Sequence, residues 1–189
     1  MKTDIILCGV GGQGILSIAT VIGEAATATG LQLKQAEVHG MSQRGGDVQS
    51  NLRLSTDTIW SDLIPRGEAD LIISMEPMEA LRYTAWINAG SAVVTSSAPF
   101  VNIPDYPDKD SLLAELDTLP NVTKADIEAL ARENAIPRSA NMILLGMAAK
   151  HLGIISPDEL KAAIARVFAA KGDAVVQSNI KAFEIGQQI

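Results

Sequence analysis

The chain has a single cysteine, Cys8, and two histidines, His39 and His151. A disulfide takes two cysteines, an iron–sulfur cluster usually four thiolates, and a structural zinc site several Cys or His. The chain is therefore expected to hold no cluster, no metal and no disulfide of its own. Cys8 closes an apolar run and reads as core rather than as a nucleophile. Aromatic residues make up only 4 % of the sequence, which argues against base-stacking platforms. Basic residues are outnumbered 22 to 15 by acidic ones, for a net charge of -7, and no Lys/Arg cluster stands out. A binder of phosphate backbones needs a basic face, so nucleic acid is not an expected partner. No apolar run approaches the ~20 residues of a membrane span. No basic stretch followed by a long apolar one marks a secretory signal. The expectation is a cytoplasmic protein without a membrane partner. At 189 residues the chain suits one good-sized core, read as a single domain over residues 1–189.

What the sequence does have is glycine in one particular place. The segment Cys8-Gly9-Val10-Gly11-Gly12-Gln13-Gly14 follows the apolar run Ile5-Ile6-Leu7 and precedes an apolar-periodic stretch from Ile15 to Ala28. Gly9, Gly11 and Gly14 fit the G-x-G-x-x-G spacing of a strand–turn–helix nucleotide loop. A loop stripped of side chains lets backbone N–H groups approach an anion at the positive end of a helix. Gly12 strips it further and leaves Gln13 as its only functional side chain. The plainer alternative is a tight turn that merely packs a helix on a sheet.

Periodicity assigns the rest. Leu31 to Val38 reads as a second strand, making a βαβ unit whose two strands run parallel with a right-handed crossover. Asp47 to Leu54 alternates like a half-buried strand, and Thr58 to Trp60 starts a return strand, giving an inserted β-hairpin. Leu71 to Met75 and Ala92 to Thr95 are short apolar strands, and Asn121 to Lys124 reads as an edge strand. Helices are expected after Pro77, over Ser111 to Leu116, Asp126 to Asn134, Pro137 to His151, from the capping box Ser156-Pro157-Asp158-Glu159 to Ala170, and over Asp173 to Gly186. The fold class is α/β. The expected architecture is a Rossmann-like three-layer domain with a mostly parallel sheet, an inserted hairpin and a helical C-terminal tail.

Ligands of open α/β sheets bind beyond the carboxyl ends of the strands. The glycine loop, the segment from His39 to Gly46, and Ser74-Met75-Glu76 should meet there. Within the second segment, Ser42, Gln43, Arg44, Gly45 and Gly46 make either an anion clamp or partner-docking loop, or a solvated turn. Glu37 ends the second strand, where nicotinamide-binding folds put a ribose-gripping acid; a surface carboxylate fits the pattern equally. Glu76 suits a helix N-terminus, His39 an acid–base group or a polar loop residue, and Asn141 a buried hydrogen-bonding residue or a contact to the loops. No Ser/His/Asp order, Walker lysine or paired acid stands out, so no catalytic residue is assigned. A ligand cradle without chemical machinery suggests part of a larger enzyme.

Longer stretches carry a family resemblance. Gly9 to Leu16 (G-V-G-G-Q-G-I-L), Glu37 to Val48 (E-V-H-G-M-S-Q-R-G-G-D-V), Ala69 to Arg82 (A-D-L-I-I-S-M-E-P-M-E-A-L-R) and Pro137 to Gly146 (P-R-S-A-N-M-I-L-L-G) resemble the gamma subunit or domain of 2-oxoacid:ferredoxin oxidoreductases. The size and the H-G-M-S-Q-R-G-G version are most like the beta subunit of the indolepyruvate:ferredoxin oxidoreductases. The resemblance implies an accessory subunit of an enzyme that converts an aryl pyruvate, CoA and oxidised ferredoxin to an aryl-acetyl-CoA, CO2 and reduced ferredoxin. It implies a large partner subunit carrying thiamine diphosphate, Mg and 4Fe-4S clusters, contact with ferredoxin through the complex, and no activity of the chain alone. It carries CoA contact onto Gly9, Gly11, Gly12, Gln13 and Gly14, and a partner- or active-site-facing role onto Ser42 to Gly46. The alternative from the loop alone is a stand-alone NAD- or flavin-binding oxidoreductase.

Overall fold

The computed structural model describes residues 1–39 and 45–189, with the side chain of His39 also left out. Six strands form one sheet in the order β2-β3-β1-β4-β5-β6. They are β1 (Lys2–Val10), β2 (Gln32–His39), β3 (Asp47–Ser55), β4 (Leu71–Ser74), β5 (Ala92–Ser96) and β6 (Val122–Ala125). The ladders β1–β4, β4–β5 and β5–β6 are parallel, while β3 runs against both β1 and β2.

Alternation along the strands sorts the core onto two faces. Ile5, Leu7, Leu52, Leu54, Leu71, Ile73, Ala92 and Val94 pack on one side. The helices there are α1 (Ile15–Ala28), α4 (Ile127–Glu133), α5 (Ala140–Ala148), α6 (Pro157–Phe168) and α7 (Asp173–Gly186). Ile6, Cys8, Ile72 and Val93 face the other way, against α2 (Pro77–Leu81), α3 (Lys109–Leu116) and Tyr83. Strands apolar on both faces are what a sheet covered on both sides requires.

Two expectations are corrected. The strands β1 and β2 do run the same way, but β3 lies between them. Burial explains the placement: Ser50, Asn51, Leu52 and Leu54 of β3 are buried, whereas Gln32, Lys34, Gln35 and Val38 of β2 are exposed and suit an edge. The hairpin is thus β2–β3. No return strand forms at Thr58 to Trp60, because β3 already pairs on both edges and has no ladder left to offer. Trp60 is 89 % exposed in a run of turns and bends.

Helix starts differ, and α7 stands apart with no side-chain cap but Asp173 in its first turn. Glu76, Asp108, Asp126 and Ser156 cap α2, α3, α4 and α6 with side-chain oxygens, and Ser156 with Glu159 completes the expected capping box. Helices α1 and α5 have no side-chain cap and no acidic residue in the first turn. Both bare ends belong to one place.

Candidate functional site

From β1 the chain first builds one flank of the sheet (β2, β3) and then the other (β4, β5, β6). The carboxyl ends of β1 and β4 therefore flank the point where the strand order reverses, the expected ligand position in such sheets. A cavity of about 1050 Å³ opens there. Its walls include Gly11 to Gly14 and Ser17 of the loop and α1, Met75 after β4, Ser96 at the end of β5 with Ala98 to Phe100 beyond it, residues 135–141 leading into α5, and Phe168, Lys171, Val175, Ser178 and Asn179 near α7. The size suits a large organic ligand, since small-molecule pockets run from about 300 to 1,000 Å³.

The loop is shaped by its own hydrogen bonds. Gln13 turns inward: its Oε1 accepts from the Val10 N–H at 2.7 Å and its Nε2 donates to the Met75 carbonyl at 3.3 Å. The amide thus fixes the loop to the end of β4 instead of standing open to a ligand. Gly14 adopts φ 87 as the N-cap of α1, a left-handed conformation that favours glycine. Its carbonyl accepts from Asn141 Nδ2 at 3.1 Å, which joins the starts of α1 and α5. At Gly9 a Cβ would come within 2.5 Å of Ile15 Cδ1, so glycine allows the close strand–helix approach. Gly12 faces the cavity with no atom within 4 Å of its Cβ direction. With neither cap nor acid, the first N–H groups of α1 and the positive end of its dipole are left to the cavity.

The second expected segment meets the first. The Gly11 N–H donates to the Gly46 carbonyl at 2.8 Å, and Asn102 Nδ2 donates to the Gly45 carbonyl at 2.8 Å. Ser42, Gln43 and Arg44 lie outside the described residues. Glu37 stands opposite Ser50 on the edge strand β2, with its carboxylate 3.5 Å from Gln35 Nε2. Two strand spacings, about 10 Å, separate β2 from β1, and Glu37 is not among the cavity-lining residues. That geometry removes Glu37 from the ribose-gripping position beside the glycine loop.

Glu76 is fully buried and caps α2 by accepting from the Glu79 N–H at 2.9 Å. It also accepts from the Phe100 N–H at 3.3 Å and from the Tyr106 hydroxyl. It therefore anchors the 98–100 wall of the cavity from behind. Burial, and next the Glu76 hydrogen bond, push the Tyr106 hydroxyl up from its ordinary value. Cys8 is buried and its Sγ donates to the Glu79 carbonyl at 3.6 Å; burial pushes the thiol far up, so it stays protonated core. Burial also raises the carboxyls of Glu79 and Glu128, opposed in each case by a neighbouring arginine, Arg82 or Arg132.

Sequence reasoning missed Arg138, Ser139 and Lys171 as cavity residues. Their available signal was small: a Pro-Arg-Ser run immediately before an apolar helix, with a cation where an acid would suit the helix dipole. Among the described residues no cluster of three or more His, Cys, Asp or Glu is arranged to hold a metal ion. Nor is any helix there long and apolar enough to cross a membrane.

The family model for pyruvate ferredoxin/flavodoxin oxidoreductase matches residues 4–189. The indolepyruvate oxidoreductase subunit IorB of Thermococcus kodakarensis is 34 % identical, over 97 % of this chain and 93 % of its own length. The keto/oxoacid ferredoxin oxidoreductase gamma subunit of Geobacter sulfurreducens superposes with a TM-score of 0.70 at 24 % identity, covering 98 % of this chain and 96 % of that one. The 2-oxoglutarate:ferredoxin oxidoreductase of Magnetococcus marinus, solved with 2-oxoglutarate, coenzyme A and succinyl-CoA bound, gives 0.77 at 23 % identity, over 99 % of this chain and 30 % of that one. The chain belongs to the pyruvate ferredoxin/flavodoxin oxidoreductase family, as a small subunit of a ferredoxin-dependent 2-oxoacid oxidoreductase.

Proposed function

We propose that this chain is the single-domain, cytoplasmic small subunit of an indolepyruvate-type enzyme, and that its cavity holds CoA for the acyl transfer. The overall reaction is then aryl pyruvate, CoA and oxidised ferredoxin to aryl-acetyl-CoA, CO2 and reduced ferredoxin. The observation that carries the reading is the cavity of about 1050 Å³ at the strand-order reversal, into which the uncapped start of α1 opens. The backbone N–H groups of Gly12 and Gly14, unlike those of Gly11 and Gln13, donate to no described residue, and they suit a diphosphate, which needs close approach and a positive helix end. Gln13 and Asn141 hold that loop in place from below and from the side. The 98–100 wall, backed by Glu76, closes the opposite side.

Thiamine diphosphate with Mg and the 4Fe-4S clusters belong, in this reading, to a large partner subunit and supply decarboxylation and electron transfer to ferredoxin. One cysteine, buried in the core, cannot replace the usual four cluster thiolates. By family resemblance, Ser42, Gln43, Arg44, Gly45 and Gly46 are read as a partner- or active-site-facing segment. The nicotinamide alternative has lost its ribose acid, since β3 separates Glu37 from β1.

The test is purification of the chain alone and of the complex captured through a tag on it. The chain alone should be colourless and inactive with 2-oxoacids, and the complex should oxidise indolepyruvate only with CoA. Gly12→Val, at φ 102 and facing the cavity, should raise the CoA KM in the complex, with Gly12→Ala as the milder arm. Full turnover by the isolated chain, or an unchanged CoA KM in both variants, overturns the reading.

A further inference from the structure

Three exposed large apolar side chains stand together beside the cavity. Phe100, Val101 and Ile103 lie on the segment that joins β5 to α3, and Val101 is 70 % exposed. Single apolar residues on a surface call for no explanation, but a group of them rimmed by charge marks an interaction site. The segment is held in place. The Phe100 N–H and the Tyr106 hydroxyl both donate to Oε1 of the buried Glu76, so one carboxylate grips it at both ends of the apolar group. Between them Asn102 Nδ2 donates to the Gly45 carbonyl at 2.8 Å, which ties it to the segment read above as partner- or active-site-facing. Anchors ordered before binding lose less freedom on association. The chain then turns acidic: Asp105, Asp108 and Asp110 are exposed, against the one base Lys109.

We infer that Phe100, Val101 and Ile103 are the anchor by which this subunit docks on the large subunit, in an apolar pocket of the partner whose Lys or Arg rim pairs with Asp105 and Asp110. The inference rests on the reading above, in which CoA in the cavity takes its acyl group from a cofactor on the large subunit. A thiol and an acyl group react only at contact distance, so the large subunit must close over the rim of the cavity. Phe100 lines that cavity, and Val101 and Ile103 follow it. Charge sets the chemistry of the facing surface, since opposite charges steer encounter and like charges across an interface are costly. Asp108 already caps α3 by accepting from the Ser111 N–H, so Asp105 and Asp110 carry the pairing. Another exposed apolar pair, Trp60 and Leu63, follows β3, whose last residue Ser55 pairs with Lys2 at the start of β1. That pair therefore lies at the end of the sheet away from the cavity.

The experiment measures the dissociation constant between this chain and the separately purified large subunit, beside the melting temperature and sedimentation of the chain. Val101→Asp should weaken assembly at least tenfold without lowering the melting temperature, because the side chain is exposed. Val101→Leu should retain assembly. The double variant Asp105→Asn with Asp110→Asn should slow association and remove most of its dependence on salt. Trp60→Ser, at the far end of the sheet, should leave assembly unchanged. An unchanged dissociation constant in Val101→Asp, or an equal loss in Trp60→Ser, overturns the inference. So does a wild-type chain that sediments as a dimer and that Val101→Asp turns into a monomer with assembly intact, since a second copy is then the occupant. The CoA reading is judged by a different quantity, the CoA KM of Gly12→Val in the assembled complex. Normal assembly of Val101→Asp with a raised KM in Gly12→Val sinks the docking surface and leaves the CoA reading standing. Weakened assembly of Val101→Asp with an unchanged KM in Gly12→Val does the reverse.

Discussion

Asn141 donates its side-chain amide to the Gly14 carbonyl at 3.1 Å, across 127 positions of sequence. The bond ties the first turn of α5 to the residue that opens α1, so the two uncapped helix ends are joined directly. The space between them is tight, because a Cβ on Gly14 would lie 2.8 Å from Asn141 Nδ2. Asn141→Leu should lower stability by about 1 kcal/mol, the net worth of a part-buried hydrogen bond. Its larger effect should be on function, with a CoA KM raised several-fold at unchanged kcat. Equal losses in kcat and kcat/KM would place the residue in the chemistry rather than in holding the ligand site.

Gln13 tests whether the loop is shaped or merely flexible. Gln13→Glu keeps an acceptor for the Val10 N–H but loses the donor to the Met75 carbonyl and adds a charge beneath the loop. Gln13→Ala loses both bonds. Glu should therefore damage CoA binding more than Ala, because its charge opposes the ligand, while Ala should lower the melting temperature as much or more. CoA titration beside thermal melting checks the crossover; the same rank order in both would make Gln13 purely structural.

The glycine loop, its helix and its strand were readable in the sequence because all three are local patterns within fourteen or so residues of each other. The capping box at Ser156 and Glu159 was readable for the same reason. Strand adjacency is a different matter. Nothing local says that β3 inserts between β1 and β2, and the misplaced return strand at Thr58 to Trp60 follows from that one gap. The far wall of the cavity was hidden too. Arg138 and Lys171 come to line the same cavity as the glycine loop only through the fold, and a lone cation beside a helix has no motif. The direction of the Gln13 amide is set by Val10 and Met75, and only the fold brings Met75 there.

Acid stability should depend on Asp4. Burial pushes its carboxyl up, but hydrogen bonds from Arg53 and Lys2 outweigh that and hold it below the ordinary carboxylate range. A carboxyl depressed in the folded state adds stability above its unfolded pKa and loses it as pH falls through the folded one. Asp4 should thus stabilise fully at neutral pH and stop doing so below the ordinary carboxylate range. Glu79 works in the opposite sense: burial raises it, so it favours the fold at low pH and ceases to as pH rises through its raised folded pKa. Arg53→Met leaves Asp4, 1 % exposed, without its bidentate partner. It should cost about 3 kcal/mol at pH 7 and less at pH 3, since removing one member of a buried pair costs ~3–5 kcal/mol. Urea melts at the two pH values check this, and a loss independent of pH would show that packing of the arginine, not its charge, is what Asp4 needs.

The helices α5 and α7 touch backbone to backbone at Gly146 and Gly186. A Cβ on Gly146 would lie 2.0 Å from the Phe183 carbonyl oxygen, and one on Gly186 2.0 Å from that of Ile143. Neither oxygen can swing away as a side chain could. Elsewhere, alanine in place of a helical glycine gains about 1 kcal/mol from propensity, and Gly23 of α1 offers that comparison, since its Cβ would meet only Leu33 Cδ2 at 3.4 Å. Gly23→Ala should therefore be neutral or stabilising, whereas Gly146→Ala should lose about 2–3 kcal/mol through overpacking. The loss should reach the ligand site as well, because α7 carries Val175, Ser178 and Asn179 of the cavity wall. A displaced α7 widens the cavity and moves Lys171 with it, so Gly146→Ala should raise the CoA KM even at temperatures where the subunit is folded. Urea titrations of both alanine variants, with CoA kinetics of the complex at low temperature, are the measurements. Equal stabilities for the two would mean that α5 and α7 do not approach this closely. A weakened fold with an unchanged KM would mean that the cavity wall is set without α7.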